Sequence, residues 1–233
     1  MYEVVLSPYQ QKLRINKQRF FLYVAILTGL LLISTPITVY AQPILKPVDQ
    51  ADRKADFFSF RAQLLAAIIK KDKNLLLAVV SKNIKNSFGG NDGIENFKKS
   101  WKIDQANSPL WETLGTVLAL GGTFDHTGSF NAPYTFSAWP DNVDVFENIA
   151  IIGDKVNIRA NPTLNGKVLA NVSYAILPLV NKVGFNKQWV AVKLTNGKTG
   201  YVSKALTRSS VDYRAIFEKV DGRWQLVAFI AGD

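Results

Sequence analysis

The chain of 233 residues contains no cysteine. That one absence excludes disulfides, thiolate zinc sites, cysteine nucleophiles and lipid attachment through sulfur. Histidine is nearly absent too: His126 stands alone, in Phe-Asp-His-Thr-Gly-Ser at 124–129. Zinc hydrolases draw on several histidine or carboxylate ligands, so one histidine offers little for a metal centre. A serine triad could recruit it with Ser129 and Asp125, but three such residues on one loop lack the usual scaffold, and His126 reads as a solvated loop residue. Phosphate-loop spacing is missing as well. Gly89-Gly90 and Gly121-Gly122 have no strand-loop-helix frame around them, and turns or helix ends account for both. Paired carboxylates survive this elimination. Glycoside cleavage needs two carboxyl groups about 5–10 Å apart, and Glu95, Asp104, Glu112, Asp141 and Asp144 are available, though no spacing among them is diagnostic. Nothing in the residues calls for a cofactor or a metal, and the chain reads as non-catalytic.

Long apolar runs are scarce, with one exception near the start. Lys12, Arg14, Lys17 and Arg19 precede an apolar run over 20–33, Pro36 breaks it, and Val39-Tyr40-Ala41 follows. This is the pattern of a secretory signal peptide over 1–41, cleaved after Ala41. The rival reading is an uncleaved inner-membrane anchor, since residues 20–41 could just reach the roughly 20 residues of a span. Either way the remainder is expected to be exported, periplasmic or secreted, and to touch the membrane only through this segment. Residues 42–233 are enough for one large or two small domains held by their own core.

Acidic residues are missing from one stretch in particular. Residues 42–148 carry twelve Lys/Arg and twelve Asp/Glu, whereas 149–207 carry eight basic residues against Asp154 alone. A small module with that field attracts anions. Outside the membrane those are wall-peptide carboxylates, wall polymers and lipid headgroups; export argues against nucleic acid. Solubility alone could also explain exposed lysines.

The expected organisation is α+β. Residues 42–55, with two prolines and no periodicity, read as a linker. A helical and mixed domain over 56–148 begins with a helix over 57–71, whose apolar residues Phe57, Phe60, Leu64, Leu65, Ile68 and Ile69 share one stripe. Lys70, Lys71 and Lys73 favour its C-terminal end. Residues 75–84 form either a short buried helix or a helix leading into a strand. Ile94, Phe97 and Trp101 are spaced as in a helix. Ser108-Pro109 starts another that runs from 110 to 120 and stops at Gly121-Gly122. Residues 123–140, rich in Gly, Asn, Pro and rings, read as an irregular loop packing its aromatics under itself. Over 208–233, two apolar segments meet across Asp221-Gly222, which supplies the positive backbone angles of a tight hairpin. That hairpin is expected to be buried on both faces and to return to the helices, completing their domain.

Between them, 149–207 reads as a small barrel. Val156 and Ile158 alternate with Asn157 and Arg159; Asn161-Pro162 turns the chain; strands follow over 168–172, 176–180 with Val183, 189–192 and 199–202, with a hairpin signal at Asn196-Gly197. Five short strands with regular turns make a compact barrel. The opening Val-Asn-Ile-Arg-Ala-Asn-Pro at 156–162, the Gly166 turn, the Trp189 strand and the closing Gly-Lys-Thr-Gly-Tyr-Val at 197–202 resemble the bacterial SH3 (SH3b) domain. The resemblance covers about a quarter of the chain. It implies binding to peptidoglycan or to a wall-associated peptide or protein. By position the groove residues would be Asn157, Arg159, Asn161, Tyr174, Trp189, Lys198 and Tyr201, with rings as a stacking wall and cations as carboxylate clamps. Each has a plainer reading: Trp189 as core with one exposed edge, Tyr201 as a strand former, Arg159 as a surface partner of Asp154. The helices followed by a terminal Gly-Arg-Trp strand also resemble, more faintly, the helix-plus-curved-sheet domains of the NTF2-like class. A scaffold or inhibitor that binds its partner through the N-terminal region is the main alternative to wall binding.

Overall fold

A computed structural model describes residues 42–180 and 188–232; the expectations for 1–41 and for Val183 lie outside them. The fold is α+β, with three sheets and five α-helices among the described residues. Among the described residues no helix is long and apolar enough to cross a membrane.

Helix α1 spans Ala55–Lys70 and buries Phe57, Leu64, Ala67 and Ile68. Ile69 falls off the stripe and is 81% exposed. The helix ends where Lys71 turns left-handed and the Asp72 amide reaches back to the Ala67 carbonyl at 2.8 Å, a backbone cap that satisfies carbonyls the helix leaves open. The Asp72 side chain then accepts from the amides of Asn74 and Leu75 and starts α2, Lys73–Leu77. Strand β1, Val80–Lys85, follows directly, so residues 75–84 are helix and then strand. Helices α3, Ile94–Trp101, and α4, Leu110–Ala119, match the spacing of their apolar residues.

Residues 123–140 differ from the expected loop. They supply β2, Thr123–Phe124, and β3, Phe130–Ala132, before the one-turn helix α5, Tyr134–Ser137. Phe124 and Phe130 do meet each other edge-on at 5.1 Å, and both also pack on Phe57 of α1. Gly122 makes this possible, because a Cβ there would meet the Asn131 carbonyl oxygen across the β2–β3 pair.

The C-terminal hairpin is β11, Arg214–Val220, and β12, Arg223–Ile230. Asp221 and Gly222 both adopt positive φ, 49° and 76°, as a two-residue turn between twisted strands requires. The large sheet has the order β1-β12-β11-β3-β2, with β1 parallel to β12 and the other pairs antiparallel. One core joins α1, α3 and α4 to Ala215, Phe217, Trp224, Leu226 and Phe229 of the hairpin. The hairpin is not buried on both faces, since Glu218, Lys219 and Arg223 are exposed.

Residues 148–208, which lie between those segments in the chain, build two smaller sheets. Strand β4 (Asn148–Ile151) pairs with β7 (Ile176–Pro178) and β10 (Thr207–Arg208). The other sheet runs β6 (Val168–Val172), β5 (Val156–Arg159), β9 (Thr199–Ser203), β8 (Trp189–Lys193). All five expected strands are present, but the ladders do not close into a barrel among the described residues; one isolated bridge, Leu179 to Val192, links the two sheets. Both sheets nonetheless share one core: Ile149, Ile151 and Leu177 meet Val156, Ile158, Val190, Val192 and Val202. The unforeseen strands here are β4, which takes the edge of β7 that a five-stranded count leaves open, and β10, which pairs with the other edge of β4.

The segment expected as a linker is packed instead. Leu45 and Ala51 are buried, the Leu45 amide donates to the Tyr174 carbonyl at 2.7 Å, and the Gln50 amide donates to Gly122 at 2.9 Å. Leu45 joins Tyr134, Ala150 and Ile176 in a third cluster that ties the small sheets to the larger body. Proline content misled here: the strap makes few ladder bonds, so prolines cost it nothing.

Candidate functional site

On the four-stranded sheet, alternation sends Val156, Ile158, Val190, Val192 and Val202 into the core. The intervening residues Asn157, Arg159, Trp189 and Tyr201 therefore share the outer face. Tyr201 lies opposite both Arg159 and Ala191, and Trp189 opposite Ser203, so the two rings are diagonal neighbours, within reach of large side chains.

Trp189 belongs to none of the three core clusters, yet it is only 8% exposed. It forms one wall of an open groove of about 790 Å³, with Pro162, Leu164, Ser203, Lys204 and Ala205 among the other lining residues. Leu164 is 74% exposed at the rim. The groove thus combines a ring, an apolar lip and the Lys204 ammonium. An apolar leucine in an otherwise polar turn between Pro162 and Gly166 was the available sequence signal for it, and neither Leu164 nor Lys204 was singled out by position.

The other expected groove residues scatter. Arg159 is not a free clamp: its guanidinium donates to the Gly166 carbonyl at 2.9 Å and pins the 160–167 turn. Nor does it pair with Asp154, which accepts from the Ser173 hydroxyl. Asn157 is exposed, and its side-chain oxygen accepts from Asn171 across the β5–β6 pair at 3.0 Å. Asn161 is exposed at the start of the turn, beside the groove rather than in its lining. Lys198 sits at the far tip of the β8–β9 hairpin, where Gly197 with φ 77° closes a loop in which the Leu194 amide bonds the Lys198 carbonyl. Tyr174 lies in the β6–β7 connection with φ 52° and bonds the strap and Gly153 through its backbone. Its phenol is near Tyr134, whose pKa is pushed up to about 12 by burial and by that neighbour. The structure therefore brings Asn157, Arg159, Trp189 and Tyr201 onto one face, sets Asn161 in the turn beside it, and leaves Tyr174 and Lys198 elsewhere.

The positive field has a structural counterpart. Lys155, Lys167, Lys193, Lys198 and Lys204 are all exposed, while Asp154 remains the one acidic side chain of the described part of 149–207; Lys182 and Lys187 lie outside the described residues.

The remaining chemistry is tied up locally. The Asp125 carboxylate accepts from the Thr127 hydroxyl and from the Ser129 amide, and from Asn131; Ser129 shares a hydrogen bond with Thr127, so both would-be triad members close their own loop. Glu95 pairs with Lys98 and Asp104 with Lys73, and Asp144 accepts from the amides of Phe146 and Glu147. Among the described residues no group of three or more His, Asp or Glu side chains is placed to hold a metal. No family model, curated protein or solved structure matches the chain.

Proposed function

We propose that this is an exported, non-catalytic envelope protein that binds peptidoglycan, or a peptide or protein attached to it, through the SH3-like region of 149–207. The observation that carries the reading is the groove beside Trp189: a ring on one wall, Leu164 and Pro162 among its other lining residues, and Lys204 with them, in a region of the chain whose exposed charges are nearly all positive. Rings stack on sugar or peptide faces, and an ammonium holds a carboxylate. The family resemblance of the strands agrees with that chemistry.

Sedimentation with purified sacculi tests it. The protein should pellet with sacculi at low salt and be released as salt screens its charges. Lys204→Glu and Leu164→Asp, both at exposed positions, should weaken the association at least tenfold without altering the fold. A protein that stays in the supernatant at low salt would remove the main support for wall binding.

The second reading, binding of a partner protein through the helical region, is favoured by the outer face of α1 and α2, where Phe58, Ile69 and Leu75 are 51%, 81% and 57% exposed. In that case pelleting is lost when protein is stripped from the sacculi and in Ile69→Lys, and Lys204→Glu leaves it unchanged.

A further inference from the structure

A second cavity lies between α4 and the two small sheets, and it differs in kind from the open groove. It holds about 580 Å³, inside the range typical of small-molecule sites. Leu120, Ile149 and Val190 give it apolar walls; Glu112, Thr116, Arg208 and Asp212 bring polar groups to it.

Arg208 is the unusual member. Its side chain is only 12% exposed. One terminal nitrogen donates to the Tyr213 carbonyl at 2.8 Å, while its buried Nε has no hydrogen-bond partner. The nearest carboxylate oxygen, on Asp212, stands 3.6 Å from Nε, too far for a hydrogen bond. A guanidinium offers five N–H donors, and a charge taken out of water is costly unless it is both paired and hydrogen-bonded. Burial lowers the Arg208 pKa and Asp212 only partly offsets it, which agrees with an incompletely compensated cation. Asp212 is itself 48% exposed, so its carboxylate is solvated rather than committed to the arginine. An anion that follows an apolar body into the cavity would balance the charge of Arg208.

We propose that the cavity between α4 and the small sheets binds a small amphipathic carboxylate, with its head on Arg208 and its apolar body against Leu120, Ile149 and Val190. The site does not depend on the Trp189 groove, although Lys204 and Ala205 line both. A fatty acid and the free C-terminus of an apolar peptide present the same chemistry.

Calorimetric titration of the full chain with octanoate tests the site, and parallel titration with N-acetyl-Leu-Leu separates the two sources by which one binds more tightly. Saturable binding is expected from at least one of them. Arg208→Gln should weaken it at least about tenfold, the usual effect of losing a hydrogen bond to a charged group. Asp212→Asn should strengthen it, by removing a competing carboxylate. Thr116 is exposed on the rim, so Thr116→Trp should fold normally and abolish binding by filling the mouth; binding elsewhere on the chain would survive that change. Absence of saturable binding by both carboxylates, binding of octanol as tight as that of octanoate, or binding that persists in Thr116→Trp would each overturn the proposal. Unaltered sacculus pelleting by Thr116→Trp would show that this site and the Trp189 groove stand or fall separately.

Discussion

Phe57 is where three distant parts of the chain meet, and its removal measures how strongly they depend on one another. The ring is fully buried. It touches Phe60 within α1, Phe124 and Phe130 from β2 and β3, and Phe217 and Trp224 from the C-terminal hairpin, at centroid separations of 4.3–5.8 Å. Truncation to alanine removes the transfer free energy of the ring and leaves a cavity, together about 3–5 kcal/mol. These neighbours are held by strands and a helix that cannot collapse into the void, so the upper half of that range is expected. A domain's whole stability is about 5–15 kcal/mol, so the loss is a large fraction of it. For a chain of this size each kcal/mol lowers the midpoint by about 2–4 °C, giving a fall of about 8–20 °C. Urea denaturation followed by far-ultraviolet circular dichroism measures the change directly. Phe57→Leu keeps most of the apolar volume and should cost about 1.5 kcal/mol or less. A loss below about 2 kcal/mol for Phe57→Ala would refute the claim that this ring joins the helices, the β2–β3 pair and the hairpin in one rigid core.

Asp56 accepts from the Lys219 ammonium at 2.7 Å and the Trp224 indole at 3.0 Å, and these bonds, the lysine's first, hold its carboxyl below the ordinary range. A carboxyl whose pKa is lower in the folded state adds stability above its unfolded value, near about 3.9, and loses it as the pH falls through the folded value. Asp56→Asn should therefore lower the thermal midpoint at pH 7, with the gap to the natural protein closing below about pH 4; a gap independent of pH counts against the pairing. Gly200 faces inward on β9, and a Cβ there would strike the Ile158 side chain, so Gly200→Ala should cost about 1–3 kcal/mol by overpacking; an unchanged urea midpoint would place that strand in another register. Arg159→Gln should cost about 0.5–1.5 kcal/mol, the value of one hydrogen bond, and speed amide exchange at Ala160 and Gly166; slow exchange in the variant would mean the turn does not need the guanidinium.

Much of the architecture was readable locally, and the failures have a common cause. The stripe of α1, the spacing of α3, the Ser108-Pro109 start of α4 and the Asp221-Gly222 turn all act over fewer than a dozen residues, and each appears where its signal stands. The five short strands of 149–207 were legible for the same reason. Residues 42–50 and 130–132 were misread because their order comes from partners far along the chain, not from their own periodicity, and β2 then pairs on β3. Of the candidate site, Trp189 and Tyr201 could be picked by position, whereas the pairing of Arg159 with Gly166 and the lip formed by Leu164 could not.

Sequence alone settled the mixed helix-and-strand composition, the turns, and the concentration of positive charge after residue 149, since backbone propensity, capping and charge are properties of neighbours in the chain. Tertiary structure alone decided that β1 lies parallel to β12, that β4 completes the edge of β7, and that Arg208 is buried beside a cavity. Those outcomes follow from which surfaces share a core, a choice made among segments from about 25 to about 145 residues apart, where no local pattern carries the information.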